Sequence, residues 1–123
     1  MDATQALGEL MELSSQITAA AVLDGDGATL ASSDDSAALA TSTLELVAAA
    51  ADLGGGGRDV TRVEVELDEG AMFVVREGEY TIAATTGPDP TSGLVVYDLR
   101  TCAQAITSGP RKRRARKPKE PSE

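Results

Sequence analysis

The residues best able to do chemistry in this sequence are carboxylates. Few other reactive side chains accompany them. The chain has 20 acidic residues, one cysteine and no histidine. It therefore lacks the commonest general base and the commonest metal-binding nitrogen. Cys102 has no histidine to activate it, and its place in an apolar helical stripe predicts a core position. A single cysteine also excludes an intrachain disulfide and a multi-cysteine metal site.

Two motifs that look like ligand loops are better explained as turns of the chain. Asp24-Gly25-Asp26-Gly27 has Asp35 where an EF-hand needs a glutamate, so we interpret it as a hairpin turn. The four glycines Gly54 to Gly57 lack the Gly-Lys-Ser/Thr sequence that leads from a phosphate loop into a helix. They follow a helical pattern instead, so we interpret them as the end of that helix.

Glu64 and Glu66 share one face of a predicted strand, where two carboxylates can serve as general acid and general base. A solvated strand face, or an edge protected by charge, gives the same pattern and explains it better. We therefore predict that the protein is not an enzyme and that it holds neither a cofactor nor a metal.

Charge divides the chain into two parts. Residues 1–109 carry 18 acidic residues, four arginines and no lysine, whereas residues 110–123 carry seven basic and two acidic residues. We predict one folded domain over 1–109 and a disordered tail over 110–123, because the tail has no large apolar side chain to offset its ordering entropy. The tail's candidate electrostatic contact residues are Arg111, Lys112, Arg113, Arg114, Arg116, Lys117 and Lys119.

These basic residues suit nucleic acid, an anionic membrane or the protein's own acidic body. The sequence shows no secretory leader and no apolar run of membrane-spanning length. We therefore expect a cytoplasmic protein.

Helical and strand patterns alternate along the chain. Apolar residues at three- and four-residue spacings predict helices over 2–14, over 36–53 and from Ser92 onward, the first with a stripe of Leu7, Leu10, Met11 and Ser14. Asp2 and Ser92 are the predicted N-caps of the first and last helices. Alternating and β-branched runs predict strands over 17–23, 28–32, 60–67, 71–76 and 80–86. The order α-β-β-α-β-β-β-α predicts an α+β fold, with a single five-stranded antiparallel sheet and helices on its faces. The β-branched pair Val95-Val96 leaves a strand as the alternative for the last element.

The central helix has more apolar surface than one packed face requires. One stripe, suited to covering the sheet, consists of Leu39, Thr43, Leu46, Val47 and Ala50. A second stripe, with alanines that permit close helix approach, consists of Ala40, Leu44, Ala48 and Ala51. A helix that is apolar on two sides needs two partners, and a two-fold dimer supplies the second from an identical chain.

The strand after the glycines would be an open edge in a monomer. Its candidate dimer-interface residues are Arg62, Val63, Glu64, Val65 and Glu66. In an antiparallel pairing of two copies, Arg62 of one chain would lie opposite Glu66 of the other. The second stripe of the central helix and this strand together predict a homodimer.

Four segments match, in order, the patterns of a known family: 20–27 followed by Ala31-Ser32, then 46–56, 63–85 and 93–100. Together they resemble the Roadblock (dynein light chain) family in its bacterial gliding-GTPase-regulator branch. The resemblance covers the domain but not the tail. It implies a Roadblock/profilin-like fold and a homodimer, in which the middle helix packs on its symmetry mate and the third strand pairs across the two-fold axis.

The resemblance also implies a function. It predicts a non-catalytic regulatory scaffold that binds a small Ras-like GTPase and modulates its nucleotide cycle, in some modules with a sensor kinase. Arg58 and Arg62 are candidates for an arginine finger, but pairing with neighbouring acids explains both better. A PAS-like or profilin-like small-ligand sensor and an electrostatic adaptor using the tail stay open, although three aromatic residues and no histidine offer little to line a ligand pocket.

Overall fold

The chain forms eight elements in the predicted order. The computed structural model describes residues 1–33, 37–53 and 60–107. The elements are α1 Ala3–Leu13, β1 Ile17–Leu23, β2 Thr29–Ser32, α2 Ala37–Leu53, β3 Arg62–Leu67, β4 Gly70–Glu77, β5 Tyr80–Thr86 and α3 Ser92–Thr107. The predicted α+β class is confirmed, and the last element is a helix. The predicted glycine stop, Arg58 and the tail lie outside the described residues.

The five strands form one antiparallel sheet in the order β2-β1-β5-β4-β3. The predicted strands 60–67, 71–76 and 80–86 leave three residues for each turn of the β3–β4–β5 meander. The observed turns have two residues, because Leu67 pairs with Gly70 and Glu77 pairs with Tyr80. Gly78 has a φ of 60°. A two-residue hairpin turn requires such a positive value, which glycine adopts without a steric penalty.

The sheet separates two apolar layers. Helices α1 and α3 cover one face, where Phe73, Ile82 and Leu99 are fully buried. Helix α2 covers the other face, where Leu23 and Val74 belong to a smaller cluster. Because successive side chains of a strand point to opposite faces, the inner strands contribute to both layers. Full burial of one such large apolar side chain contributes about 1.5–3 kcal/mol to stability.

Helix α1 begins at its predicted cap. The Asp2 carboxylate accepts a hydrogen bond from the Gln5 backbone N–H at 2.8 Å, and the Gln5 side chain accepts one from the Asp2 N–H, forming a capping box. Leu7 and Leu10 of the predicted stripe are buried against the sheet. No helix in the described ranges is long and apolar enough to cross a membrane.

Helix α3 begins differently from the prediction that Ser92 is its cap. The backbone N–H of Val95 donates to the Thr91 carbonyl at 3.0 Å, which makes Thr91 the capping position. The Ser92 hydroxyl instead donates to Glu64 Oε2 at 2.8 Å. The Thr91 N–H donates to the side-chain oxygen of Gln16 at 2.6 Å and so joins the start of α3 to the turn between α1 and β1.

Candidate functional site

Helix α2 packs on the sheet through the stripe predicted for that purpose. Leu39 and Thr43 are buried, and Leu46 and Val47 pack half-buried against the same apolar cluster. The Thr43 hydroxyl donates to the Leu39 carbonyl at 2.7 Å, so this fully buried polar atom has a partner. The sheet-facing side of α2 is therefore occupied within the single chain.

The second stripe of α2 is the more exposed one. Leu44 exposes 46% of its surface, Ala48 is exposed, and Ala40 and Ala51 are half-buried. These are the four helix residues predicted for the dimer interface. Leu44, Ala48 and Ala51 form a surface that a second helix can approach closely. Ala40 departs from the predicted stripe, because it packs against the sheet cluster.

Leu44 has a second role that its sequence position does not reveal. Its Cδ atoms lie against Gly27 in the β1–β2 turn, and a Cβ atom at position 27 would stand only 3.1 Å from Leu44 Cδ2. Gly27 also has a φ of 90°, in the region that favours glycine. Leu44 therefore helps to hold α2 against the hairpin. A substitution at Ala48, one turn later, is a better test of the outer surface, because Ala48 is exposed.

The Asp24–Gly27 motif forms the predicted hairpin turn. Asp24 Oδ1 accepts hydrogen bonds from the backbone N–H groups of Asp26 at 2.8 Å and Ala28 at 3.0 Å. This carboxylate is occupied in shaping its own turn. Within the part of the chain that the structure describes, no three histidine, cysteine, aspartate or glutamate residues are grouped so as to hold a metal.

Strand β3 is an edge strand. Within the described ranges it pairs with β4 and has no second neighbour, so one row of its backbone N–H and C=O groups is open to another strand. Val63 and Val65 pack half-buried against the α2 cluster. Arg62, Glu64 and Glu66 are exposed on the opposite face. The helix and the strand that carry the two predicted groups of interface residues thus pack against one apolar cluster, although only Ala40 of the helix group touches it.

Glu64 and Glu66 line a polar cleft of about 260 Å³ between the sheet edge and the start of α3. Asp68 and Asp89 add two further carboxylates to its lining. Both glutamates are exposed to solvent. A general acid–base pair at neutral pH needs environments that separate the two pKa values, usually by shielding one carboxyl group from water. The cleft matches the predicted solvated strand face.

Cys102 is buried between α1 and α3, as its core assignment predicts. Burial, with a smaller contribution from the negative charge of Glu9, raises the pKa of the thiol from 9.0 to about 11. The thiol is therefore protonated at neutral pH. A nucleophilic cysteine needs the opposite shift.

Replacing Cys102 with alanine is expected to reduce the loss of stability at high pH. The folded-state pKa is raised above the unfolded value, so the unfolded chain loses its thiol proton first as pH rises from 9.0 to about 11. The contribution of Cys102 to the free energy of unfolding is present below pH 9.0 and is lost across that window. Urea unfolding at about pH 8 and about pH 10.5 should show a larger loss for the parent than for Cys102→Ala. Equal losses of unfolding free energy in the two proteins would contradict the raised pKa of the Cys102 thiol.

Known structures share this fold, although no protein-family model and no curated protein matches the sequence. A Roadblock/LC7 domain from Streptomyces avermitilis matches with a TM-score of 0.73 and 23% identity, over 87% of this chain and 96% of that one. The gliding protein MglB from Thermus thermophilus matches with a TM-score of 0.69 and 17% identity, over 85% and 84%. Myxococcus xanthus MglB matches with a TM-score of 0.62 and 16% identity, over 86% and 82%. The resemblance found in the sequence is confirmed at the level of the fold.

Proposed function

We propose that this chain, which has the Roadblock fold, is a non-catalytic homodimeric regulator that binds a small Ras-like GTPase in a bacterial signalling module. One observation carries the proposal. Helix α2 and strand β3 pack against the same apolar cluster, and each leaves a side without a partner in the described chain: the outer stripe of α2 and the open edge of β3. The gliding proteins among the structural neighbours support a regulatory role.

The helix part of the proposed interface pairs α2 with its symmetry mate. Ala48 and Ala51 present only methyl groups, so the two helix axes can approach to about 8–10 Å. Leu44, which is 46% exposed in the single chain, would become buried together with its copy. Removing apolar surface from water is the main favourable term in such an association.

The strand part pairs β3 with its symmetry mate in antiparallel register. Arg62 then lies opposite Glu66 of the partner chain, and Val63 lies opposite Val65. The same register places Glu64 opposite its own copy on the two-fold axis, where Arg62 of the partner lies diagonally across. Arg62 is exposed and has no ion-pair partner among the described residues, so it is available for this contact.

This arrangement implies how the dimer would act on a GTPase. Arg62 is used within the dimer, and Glu64 and Glu66 are solvated, so none of these three candidates serves as a catalytic group toward the GTPase. The dimer would act by holding the GTPase and repositioning the residues that the GTPase itself carries. It is a scaffold with a regulatory effect rather than an enzyme.

Two measurements on the full chain test the proposal together. Sedimentation equilibrium at about 20 μM should give twice the chain mass of 12.6 kDa. A small GTPase encoded beside this gene should bind the dimer, with at least about tenfold different affinity for its GDP and GTP-analogue forms. A monomer at that concentration would contradict the dimer. A dimer that binds neither nucleotide form would contradict the GTPase role.

The two alternative functions gain less support. Two clefts lined by described residues, of about 260 Å³ and about 50 Å³, are each smaller than the pockets of about 300–1,000 Å³ that hold small ligands. An electrostatic adaptor would depend on the basic residues from Arg111 to Lys119, which lie outside the described residues. Their role stays a prediction.

A further inference from the structure

A second apolar surface lies on the sheet face opposite α2, in a groove between α1 and α3. This α1–α3 groove has a volume of about 50 Å³, and its apolar lining includes Leu10, Leu13 and Ala105. Leu13 exposes 76% of its surface. The groove has room for the tip of one aliphatic side chain, whereas a drug-sized ligand needs about 300 Å³ or more.

The apolar surface continues beyond the groove along α3. The hydrogen bond between Thr91 and Gln16 places the start of α3 beside the turn that follows α1. Leu94 is 49% exposed and lies one helical turn before Asp98, which lines the groove. Tyr97 is 66% exposed on the same turn. Exposed apolar residues that lie together in this way mark an interaction surface, whereas scattered single ones do not.

The groove has an acidic rim. The charged side chains in its lining are Glu9 and Asp98, and the lining contains no basic residue. The surrounding domain, residues 1–109, contains no lysine. A partner that fits must therefore combine an apolar side chain with nearby positive charge, because complementary charge orients a partner and disfavours acidic competitors.

We propose that the α1–α3 groove binds a basic amphipathic helix of a partner protein. A leucine or methionine of that helix enters the groove and contacts Leu10 and Leu13. Lysine or arginine residues three or four positions away on the same helix face pair with Glu9 and Asp98. The exposed side chains of Leu94 and Tyr97 extend the contact by another turn.

The chain's own tail does not meet these requirements. Residues 110–123 carry the positive charge but contain no leucine, methionine or aromatic residue to enter the groove. The groove also lies on the opposite side of the sheet from α2. It therefore stays open in the proposed dimer, and its occupation does not depend on dimerisation or on a GTPase.

The test uses the isotope-labelled full chain and two synthetic helical peptides of equal charge. One peptide carries leucines at positions i and i+4 flanked by lysines, and in the other both leucines are serine. In an NMR titration, the leucine peptide should shift the signals of Leu13, Thr101 and Ala105. The serine peptide should bind at least about tenfold more weakly, because charge without an apolar contact is not sufficient.

Protein variants then locate the site. Leu13→Glu should weaken binding of the leucine peptide about tenfold or more. Glu9→Lys should weaken it about threefold at low salt and less at high salt. Leu30→Glu is the matched control, because it places the same charge on an exposed leucine away from the groove. Leu30 is 41% exposed on β2, and its neighbour Ala31 packs toward the α1–α3 side, so Leu30 points to the opposite face of the sheet.

Three results would overturn the proposal. These are equal affinity for the two peptides, an equal loss in Leu30→Glu and Leu13→Glu, or signal shifts centred on α2 instead of the groove. Leu13 is mostly exposed, so Leu13→Glu should remain folded, and its amide spectrum reports this directly.

Discussion

Replacing Ala48 with glutamate is expected to convert the proposed homodimer into a monomer without unfolding the chain. Ala48 is exposed in the single chain, so the carboxylate remains solvated there. In the dimer the two-fold axis would bring two such carboxylates into the helix contact, where each loses water without gaining a partner. We expect the dimer dissociation constant to rise about 100-fold or more, which corresponds to about 3 kcal/mol. Sedimentation should then give the chain mass of 12.6 kDa.

The residues on either side of Ala48 provide matched controls on the same helix. Ala49 is also exposed but lies outside both apolar stripes, so Ala49→Glu should leave the dimer intact. Val47 packs against the sheet cluster, so Val47→Glu should lower the free energy of unfolding by about 2–4 kcal/mol. Three consecutive substitutions therefore give three different outcomes. A dimeric Ala48→Glu protein, or dissociation by Ala49→Glu as well, would show that this stripe is not the interface.

Replacing Gly70 with alanine is expected to destabilise the fold by about 2–3 kcal/mol. A Cβ atom at position 70 would overlap the backbone carbonyl oxygen of Thr86 on β5. The obstacle is backbone rather than the end of a flexible side chain, so β4 and β5 would have to separate locally. Gly70 also pairs with Leu67, so the same displacement would move the turn between β3 and β4. Urea unfolding of the full chain measures the loss.

Gly8→Ala is the control for this substitution. Gly8 lies in the middle of α1, and a Cβ atom there would meet no other heavy atom within 4 Å. Alanine should therefore raise the free energy of unfolding by about 0.5–1 kcal/mol, because it loses less conformational entropy in a helix. Opposite signs at the two positions are the expected result. A Gly70→Ala protein as stable as the parent would mean that the two strands do not approach so closely.

Most helices and strands were predictable because their signals are local. The bounds of β1 and β5 coincide with the prediction, and α1 begins after the predicted cap Asp2. Hydrophobic periodicity, capping residues and turn glycines act within a few residues of one another. The start of β3 was predicted less accurately, since the alternating pattern begins at Val60 but pairing with β4 begins at Arg62.

Contacts between distant segments were not predictable in this way. The sequence suggested Ser92 as a helix cap, but its hydroxyl bonds to Glu64, 28 residues away. Leu44 looked like a purely external residue, but it also packs on Gly27. The α1–α3 groove was not predicted at all, because Leu13 resembles an ordinary helix-end residue until α3 lies beside it. Each case depends on which elements become neighbours in space.

The sequence by itself therefore determined the order and type of the elements, and the presence of a second apolar stripe on α2. Periodicity alone reveals that stripe, since it depends only on residues of one helix. The open edge at β3 was also predicted, but only the tertiary structure decided that β1 joins β5 and that β3 lies beside the helix that carries the stripe. The physical reason is that strand pairing and layer packing are chosen by long-range burial of apolar faces, whereas helix and strand patterns are set by near neighbours.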